Sequence, residues 1–102
     1  MRRGEIWIAE HHTLGRRPFL ILSRDDVLPR LGKPLCAMVT RTDRGLPTEV
    51  ALDTDDGVRF PCVVSLDNVA PLPKRALVHA VTKLSPERMH QVCQALAIAT
   101  GC

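Results

Sequence analysis

The sequence RPFLILS, residues 17–23, decides the fold of this chain. Its apolar residues follow one another without alternation, which is typical of a buried central strand in a small barrel. Pro18 fixes the backbone where the strand begins and removes one backbone donor. Arg17, which precedes it, therefore places a permanent cation at the beginning of an apolar strand. A guanidinium held there is well suited to bind a phosphate or a developing oxyanion.

Shorter β-forming segments lie on both sides of this strand. Residues 5–9 and 35–40 contain β-branched and other apolar side chains and predict the strands before and after it. Three more strands are predicted over 49–52, 62–66 and 76–81. The polar pair Asp67-Asn68 is expected to end the second of these three.

Two segments carry helix signals. Ser23 offers a cap for one or two helical turns over residues 24–28. A longer helix is predicted after the cap residue Ser85, with Pro86 at its first position and Gly101 just past its end. Apolar residues recur along it at helical spacing. They are Met89, Val92, Cys93, Leu96 and Ala97.

Length and composition bound the architecture. The 102 residues, 45% of them hydrophobic, are expected to form one domain over residues 1–102 with a modest core. Short strands and one C-terminal helix predict a mainly β (α+β) fold, a small SH3-like barrel with the helix packed against it. Neither a membrane span of about 20 apolar residues nor a signal region is evident in the sequence. We therefore expect a cytoplasmic protein.

Charge and cysteine spacing limit the kinds of site. The net charge of +3 is compatible with a nucleic-acid partner without requiring one. Cys36, Cys62 and Cys93 lie in apolar runs and are expected to be small buried side chains rather than metal ligands or disulfide partners. The acidic loop over 53–57 lacks the ligand spacing of an EF-hand and predicts a solvated turn. No metal or other cofactor is expected.

Polar residues beside the predicted strands are candidates for chemistry. Thr40 ends an apolar strand, so its hydroxyl can face whatever the charged turn after it binds. His11 and His12 could act as acid or base, because imidazole titrates near neutrality. The plainer alternatives are a structural threonine, two exposed loop histidines and, for Arg17, an ordinary surface arginine.

Two further residues could recognise a base. Asp67 and Asn68 end a predicted strand, where they could hydrogen-bond a base edge or cap a turn. The chain has one Trp, two Phe and no Tyr. Trp7 and Phe19 are expected in the core, so stacking of bases on aromatic rings is not expected to be the main binding mode.

The order and spacing of these segments resemble the MazF/PemK family of toxin endoribonucleases, and its mycobacterial branch in particular. The match extends from residue 2 to about residue 100. Its parts are RGEIW at 3–7, Arg17-Pro18 with the following strand and Ser23, Thr40, CVVSLDN at 62–68 and the terminal helix.

The resemblance implies a homodimer of SH3-like barrels that cleaves single-stranded RNA at a short recognition sequence without a metal. It implies catalytic roles for Arg17 and Thr40. Because arginine seldom releases a proton, we expect Arg17 to stabilise charge, with the general base left open. Residues expected to bind RNA are His11, His12, Arg16, Arg41, Arg44, Asp67 and Asn68. A cognate antitoxin with an extended tail in the RNA groove is also implied, with contact to DNA only through that complex.

Two alternatives remain at this point. One is a gyrase-binding toxin of the CcdB type, whose helix ends in a Trp-Gly-Ile-like sequence, whereas this chain ends Ala-Thr-Gly-Cys. The other is a catalytically inactive barrel that only binds nucleic acid or its antitoxin. The presence of both Arg17 and Thr40 disfavours the inactive barrel.

Overall fold

Antiparallel strands form one bent sheet in the computed structural model, which describes residues 1–13 and 15–102. The order of strands across the sheet is β4-β5-β3-β2-β1-β6, so β4 and β6 are its edges and hydrogen bonds do not close it. One α-helix, α1, follows β6 in this described part. The elements are β1 (Glu5–His11), β2 (Gly15–Ile21), β3 (Leu35–Thr40), β4 (Glu49–Leu52), β5 (Cys62–Pro71), β6 (Leu77–Lys83) and α1 (Pro86–Thr100).

The continuous apolar run in β2 is explained by burial of both faces of the sheet. Leu20 is fully buried in the cluster to which Val92 and Ala95 of α1 contribute. Phe19 and Ile21 point to the opposite face, because side chains alternate along a strand, and belong to a second buried cluster. Each such side chain contributes about 1.5–3 kcal/mol relative to an exposed one. The central strand is therefore apolar at every one of these positions.

The predicted end of β5 at Asp67-Asn68 is wrong, because the strand continues to Pro71. Its pairing with β3 is irregular instead: Ala37 lies opposite Val69, whereas Met38 lies opposite Ser65. Residues 66–68 occupy this irregularity. A bulge of this kind absorbs polar residues and bends the strand without ending it.

The predicted helical turn over 24–28 is found in part, because the amides of Val27 and Leu28 each donate a hydrogen bond of 3.2 Å to the Arg24 oxygen. A short 3-10 turn lies slightly later, at Leu28–Arg30. Ser23 does not cap it, because the Ser23 hydroxyl accepts a hydrogen bond of 2.8 Å from the Leu35 amide. That bond joins the chain just after β2 to the first residue of β3.

Helix α1 has the predicted caps. The Ser85 hydroxyl accepts a hydrogen bond of 3.2 Å from the Arg88 amide, and Gly101 ends the helix with φ +73°. The buried stripe centres on Val92, and Cys93 is exposed because it lies about 100° further round the helix axis. The prediction that Cys93 is buried is therefore wrong. Within residues 1–13 and 15–102, no helix is long and apolar enough to cross a membrane.

Candidate functional site

An open groove of about 800 Å³ lies over β1, β2, β3 and β6 and is bounded by the segment between β4 and β5. Apolar side chains of the strands form its floor. Its polar and aromatic lining residues are Arg16, Arg17, Thr40, Arg41, Arg59, Phe60 and His79. Among the described residues that line it there is no aspartate or glutamate. The groove therefore attracts a polyanion.

Arg17 has an uncompensated charge. It lies on β2 opposite Ala9, and its Nη1 donates a hydrogen bond of 2.9 Å to the backbone oxygen of Arg16. Throughout the described residues Arg17 forms no ion pair, whereas Arg16 binds the Glu10 carboxylate at 2.9 Å. The two neighbouring arginines are thus not equivalent. Arg17 can direct its remaining donors to an anion in the groove.

Thr40 and Arg41 follow one another where β3 ends. The Thr40 hydroxyl oxygen accepts a hydrogen bond of 3.2 Å from the Thr42 amide, which leaves its proton available for donation. The guanidinium of Arg41 lies 3.9 Å from the centroid of the Phe60 ring. A cation is therefore stacked on an aromatic ring beside the hydroxyl of Thr40.

The segment that carries Phe60 is anchored to the rest of the protein at Asp56. Asp53 and Asp56 form a reciprocal capping box around a short 3-10 turn. The Asp56 carboxylate also accepts a hydrogen bond of 3.0 Å from Arg88 Nε of α1. The Asp56 backbone oxygen accepts one of 2.9 Å from the Thr82 hydroxyl of β6. This acidic turn, predicted as a solvated loop, is therefore tied to both the helix and the sheet.

These contacts favour the ionised form of Asp56. Burial of the carboxyl works against ionisation, but the hydrogen bonds from Arg88 and the Asp53 backbone, with the Arg88 charge, outweigh it. The pKa of Asp56 therefore lies below its usual 3.8. Because the pKa is lower in the folded state, the resulting stability is present above the unfolded pKa. It is lost as the pH falls through the folded pKa.

We expect Asp56→Asn to reduce the free energy of unfolding by about 1–3 kcal/mol at neutral pH, because a charged hydrogen bond to Arg88 is lost. The difference from the original protein should shrink as the pH falls below about 4. Urea unfolding at several pH values measures this. The matched control is Asp55→Asn, at an exposed neighbour that does not bind Arg88. A difference that stays constant down to pH 2 would contradict the assignment.

Gly57 closes the same turn and cannot be replaced without strain. Its φ is +88°, and an added Cβ would lie 2.9 Å from Thr82 Cβ and closer still to Thr82 Oγ1. We expect Gly57→Ala to destabilise the fold by about 2–4 kcal/mol, through the left-handed backbone and the clash together. The control is Gly45→Ala, at φ +66° with no atom within 4 Å, which should show the backbone cost alone. Equal losses measured by urea unfolding would exclude the clash.

Several predicted site residues lie outside the groove lining. The rings of His11 and His12 stack on each other at 4.7 Å near the end of β1. The Asp67 carboxylate accepts a hydrogen bond of 2.5 Å from Thr48, and Asn68 donates one of 2.8 Å to Ser65. The predicted residues that the groove brings together are Arg16, Arg17, Thr40 and Arg41, whereas those outside its lining are His11, His12, Arg44, Asp67 and Asn68.

Sequence reasoning did not select Arg59, Phe60 and His79, which the groove contains. His79 on β6 lies opposite Ile8 of β1, which in turn lies opposite Pro18 of β2. It is therefore two strands away from the residue next to Arg17. An aromatic residue in a polar turn was the available signal for Phe60. The sequence holds no comparable signal for His79, because the pairing of β6 with β1 is long-range.

The cysteine in the groove lacks the lowered thiol pKa that nucleophilic catalysis uses. Cys62 lines the groove with His79. Burial and the nearby Asp56 charge raise the pKa of the Cys62 thiol above its usual value, against an opposing effect of Arg41. A thiol nucleophile needs the opposite shift, because the thiolate is the reactive form.

Comparisons with known proteins agree with one another. A family model described as PemK-like, MazF-like toxin of type II toxin-antitoxin system matches residues 2–100. A Mycobacterium tuberculosis protein named probable endoribonuclease MazF2 is 45% identical over 103 residues, covering 100% of both chains. The solved M. tuberculosis toxin MazF-mt6 has a TM-score of 0.88 and 35% identity, over 95% of this chain and 96% of that one. An endoribonuclease from mycobacterial species, solved with its cognate antitoxin, has a TM-score of 0.90 and 28% identity, over 99% and 95%.

Proposed function

Since the chain belongs to the PemK-like, MazF-like family of toxins of type II toxin–antitoxin systems, we propose that its arginine-lined groove is where it cleaves single-stranded RNA. The chain is an endoribonuclease toxin of the MazF type, in the mycobacterial branch. Nothing supports the gyrase-binding alternative. The observation that carries the assignment of the site is that Arg17 and Thr40 line one groove, among whose described lining residues there is no aspartate or glutamate.

The chemistry that suits these residues is attack by the RNA itself. The 2′-oxygen bonds to the adjacent phosphorus while the bond from phosphorus to the 5′-oxygen breaks, giving a cyclic phosphate and a 5′-hydroxyl. Arg17 donates two forked hydrogen bonds to the non-bridging oxygens as their charge increases. Thr40 donates a further hydrogen bond to a non-bridging oxygen. Neither the formation of the new bond to phosphorus nor the breaking of the old one requires a metal. Preference for a particular RNA sequence would come from other contacts.

The attack also requires a proton to leave the 2′-hydroxyl and another to reach the 5′-oxygen. Imidazole suits both transfers. His79 lines the groove with Arg17. We therefore assign proton transfer to His79 ahead of His11 and His12, which lie outside the groove lining.

The test is to map cut ends on a long RNA with the purified protein. We expect cuts at one short recurring sequence, with 5′-hydroxyl and cyclic-phosphate ends, and no change on addition of EDTA. Failure to cut any single-stranded RNA would refute the assigned function. Strong inhibition by EDTA, or 5′-phosphate ends, would instead indicate a metal-dependent nuclease.

The family also implies partners. We propose a homodimer that acts in the cytoplasm and is neutralised by a cognate antitoxin, as the mycobacterial relative solved with its antitoxin suggests. An acidic peptide segment would complement the arginines of the groove. Duplex DNA would be contacted only through that complex, whereas single-stranded DNA serves as an uncleavable probe of the groove. The antitoxin should abolish RNA cleavage when it is added at a stoichiometric ratio. It should also compete with single-stranded DNA for the groove. Simultaneous binding of the antitoxin and single-stranded DNA would contradict the placement of the antitoxin in the groove.

A further inference from the structure

Phe60 is an exposed aromatic residue in the segment between β4 and β5, which bounds the groove. It precedes β5 and is 47% exposed. Two guanidinium groups lie near its ring: Arg41 at 3.9 Å and Arg59 at 5.7 Å from the centroid. A single exposed aromatic residue is ordinary. An exposed ring that has two cations close to it, in a groove that attracts anions, requires a further explanation.

The turn that precedes this ring by three residues is anchored by contacts that do not involve the ring itself. The turn before it is held by the Asp53–Asp56 capping box, by Arg88 of α1 and by the close approach of Gly57 to Thr82. The turn that leads to the ring is therefore in place before any ligand arrives. A preorganised contact of this kind binds with little loss of conformational freedom.

Phe60 also contacts the residue that follows Thr40, which is proposed to bind the reacting phosphate. Arg41, which stacks on the ring, directly follows Thr40. A phosphate held by Arg17 and Thr40 would thus bring the adjoining nucleotide to the Arg41–Phe60 pair. Both a phenyl ring and a guanidinium plane stack on the flat face of a nucleobase.

We propose that Phe60 and Arg41 form a stacking subsite for one nucleobase of single-stranded nucleic acid, next to the phosphate at Arg17. The proposal rests on the function assigned above, since it adds a base contact to the same groove. Stacking accepts every base, because each has a π-face. The subsite therefore increases affinity and positions the strand, and it leaves the identity of the cut sequence to other residues.

The test compares binding of two DNA decamers, one of thymidines and one with abasic residues throughout. Neither can be cut by this route, because DNA lacks the 2′-hydroxyl, and their phosphate charges are equal. We expect the protein to prefer the thymidine decamer. Phe60→Ala should weaken that binding about 5- to 100-fold and leave the abasic decamer unchanged, since one stacked base contributes this range of affinity.

Further variants separate stacking from simple apolar contact. Phe60→Trp should retain the preference for bases, whereas Phe60→Leu should bind like the alanine variant. The matched control is Ile98→Ala, at an exposed apolar side chain on α1 outside the groove lining, which should bind both decamers as the original protein does. Thermal unfolding of each variant shows whether it is folded.

Two results would overturn the subsite. One is equal or undetectable binding of the two decamers by the original protein. The other is wild-type preference in a folded Phe60→Ala variant. Because neither measurement involves cleavage, they are independent of the mapping of cut ends. Absence of RNA cleavage with an intact base preference would refute the assigned activity alone.

Discussion

RNA cleavage is expected to fall by about a thousandfold or more when Arg17 is replaced by alanine, because one preorganised cation at the reacting phosphate typically contributes that much. Arg17 lines the groove and forms no ion pair within the described residues. Its removal should therefore act on the charge of the transition state. The fold should be unaffected, since the side chain is exposed. Single-turnover cleavage of a mapped substrate measures the loss.

Two matched variants sharpen this result. Arg16→Ala removes the neighbouring arginine, which is already paired with Glu10, and should reduce cleavage much less. Arg17→Lys keeps the charge but not the forked geometry, so it should restore only part of the rate. Wild-type cleavage by a folded Arg17→Ala variant would refute the role assigned to this residue. Equal losses in Arg16→Ala and Arg17→Ala would indicate a general effect of charge.

Replacement of His79 by alanine is expected to lower cleavage about 10²- to 10⁴-fold, the usual contribution of a positioned acid or base. Binding of a single-stranded DNA analogue should change little, because the imidazole is assigned to proton transfer and not to affinity. Cleavage and binding measured on the same variant separate the two effects. His90→Ala, at an exposed histidine of α1, is the matched control.

A substrate with a different leaving-group atom distinguishes whether His79 accepts the proton of the 2′-hydroxyl or donates one to the 5′-oxygen. A substrate with sulfur in place of the 5′-oxygen needs no protonation of that atom. If His79→Ala cleaves this sulfur-containing substrate as fast as the original protein does, His79 is the acid. If the variant loses as much rate on this substrate as on the natural one, His79 is the base. Unchanged cleavage of the natural substrate by His79→Ala would return proton transfer to His11 or His12.

Local signals were sufficient for much of the fold. The bounds of β3 and β4 and both caps of α1 are as predicted, because each is set by a run of apolar residues or by a capping side chain. The mainly β architecture with a C-terminal helix is confirmed. The end of β5 was not predictable in this way, since a bulge against β3 accommodates Asp67 and Asn68 where a strand end was expected.

The groove was predictable only in part. Arg17 and Thr40 stand out because each is polar beside a buried strand. His79 does not, because its place depends on β6 pairing with β1 across about seventy residues of sequence. The role of Asp56 was likewise hidden, since its partner Arg88 lies 32 residues later. Contacts over such separations arise from the assembled sheet rather than from any local pattern.

Because of the hydrogen bond between Asp56 and Arg88, the groove can be completed only late in the synthesis of the chain. The ribosome makes Arg17, Thr40 and the Phe60 turn first, and Arg88 follows Asp56 by 32 residues. Until that later segment has emerged and become helical, the turn lacks its guanidinium anchor. A nascent chain thus carries Arg17 before the turn that leads to Phe60 is anchored to α1.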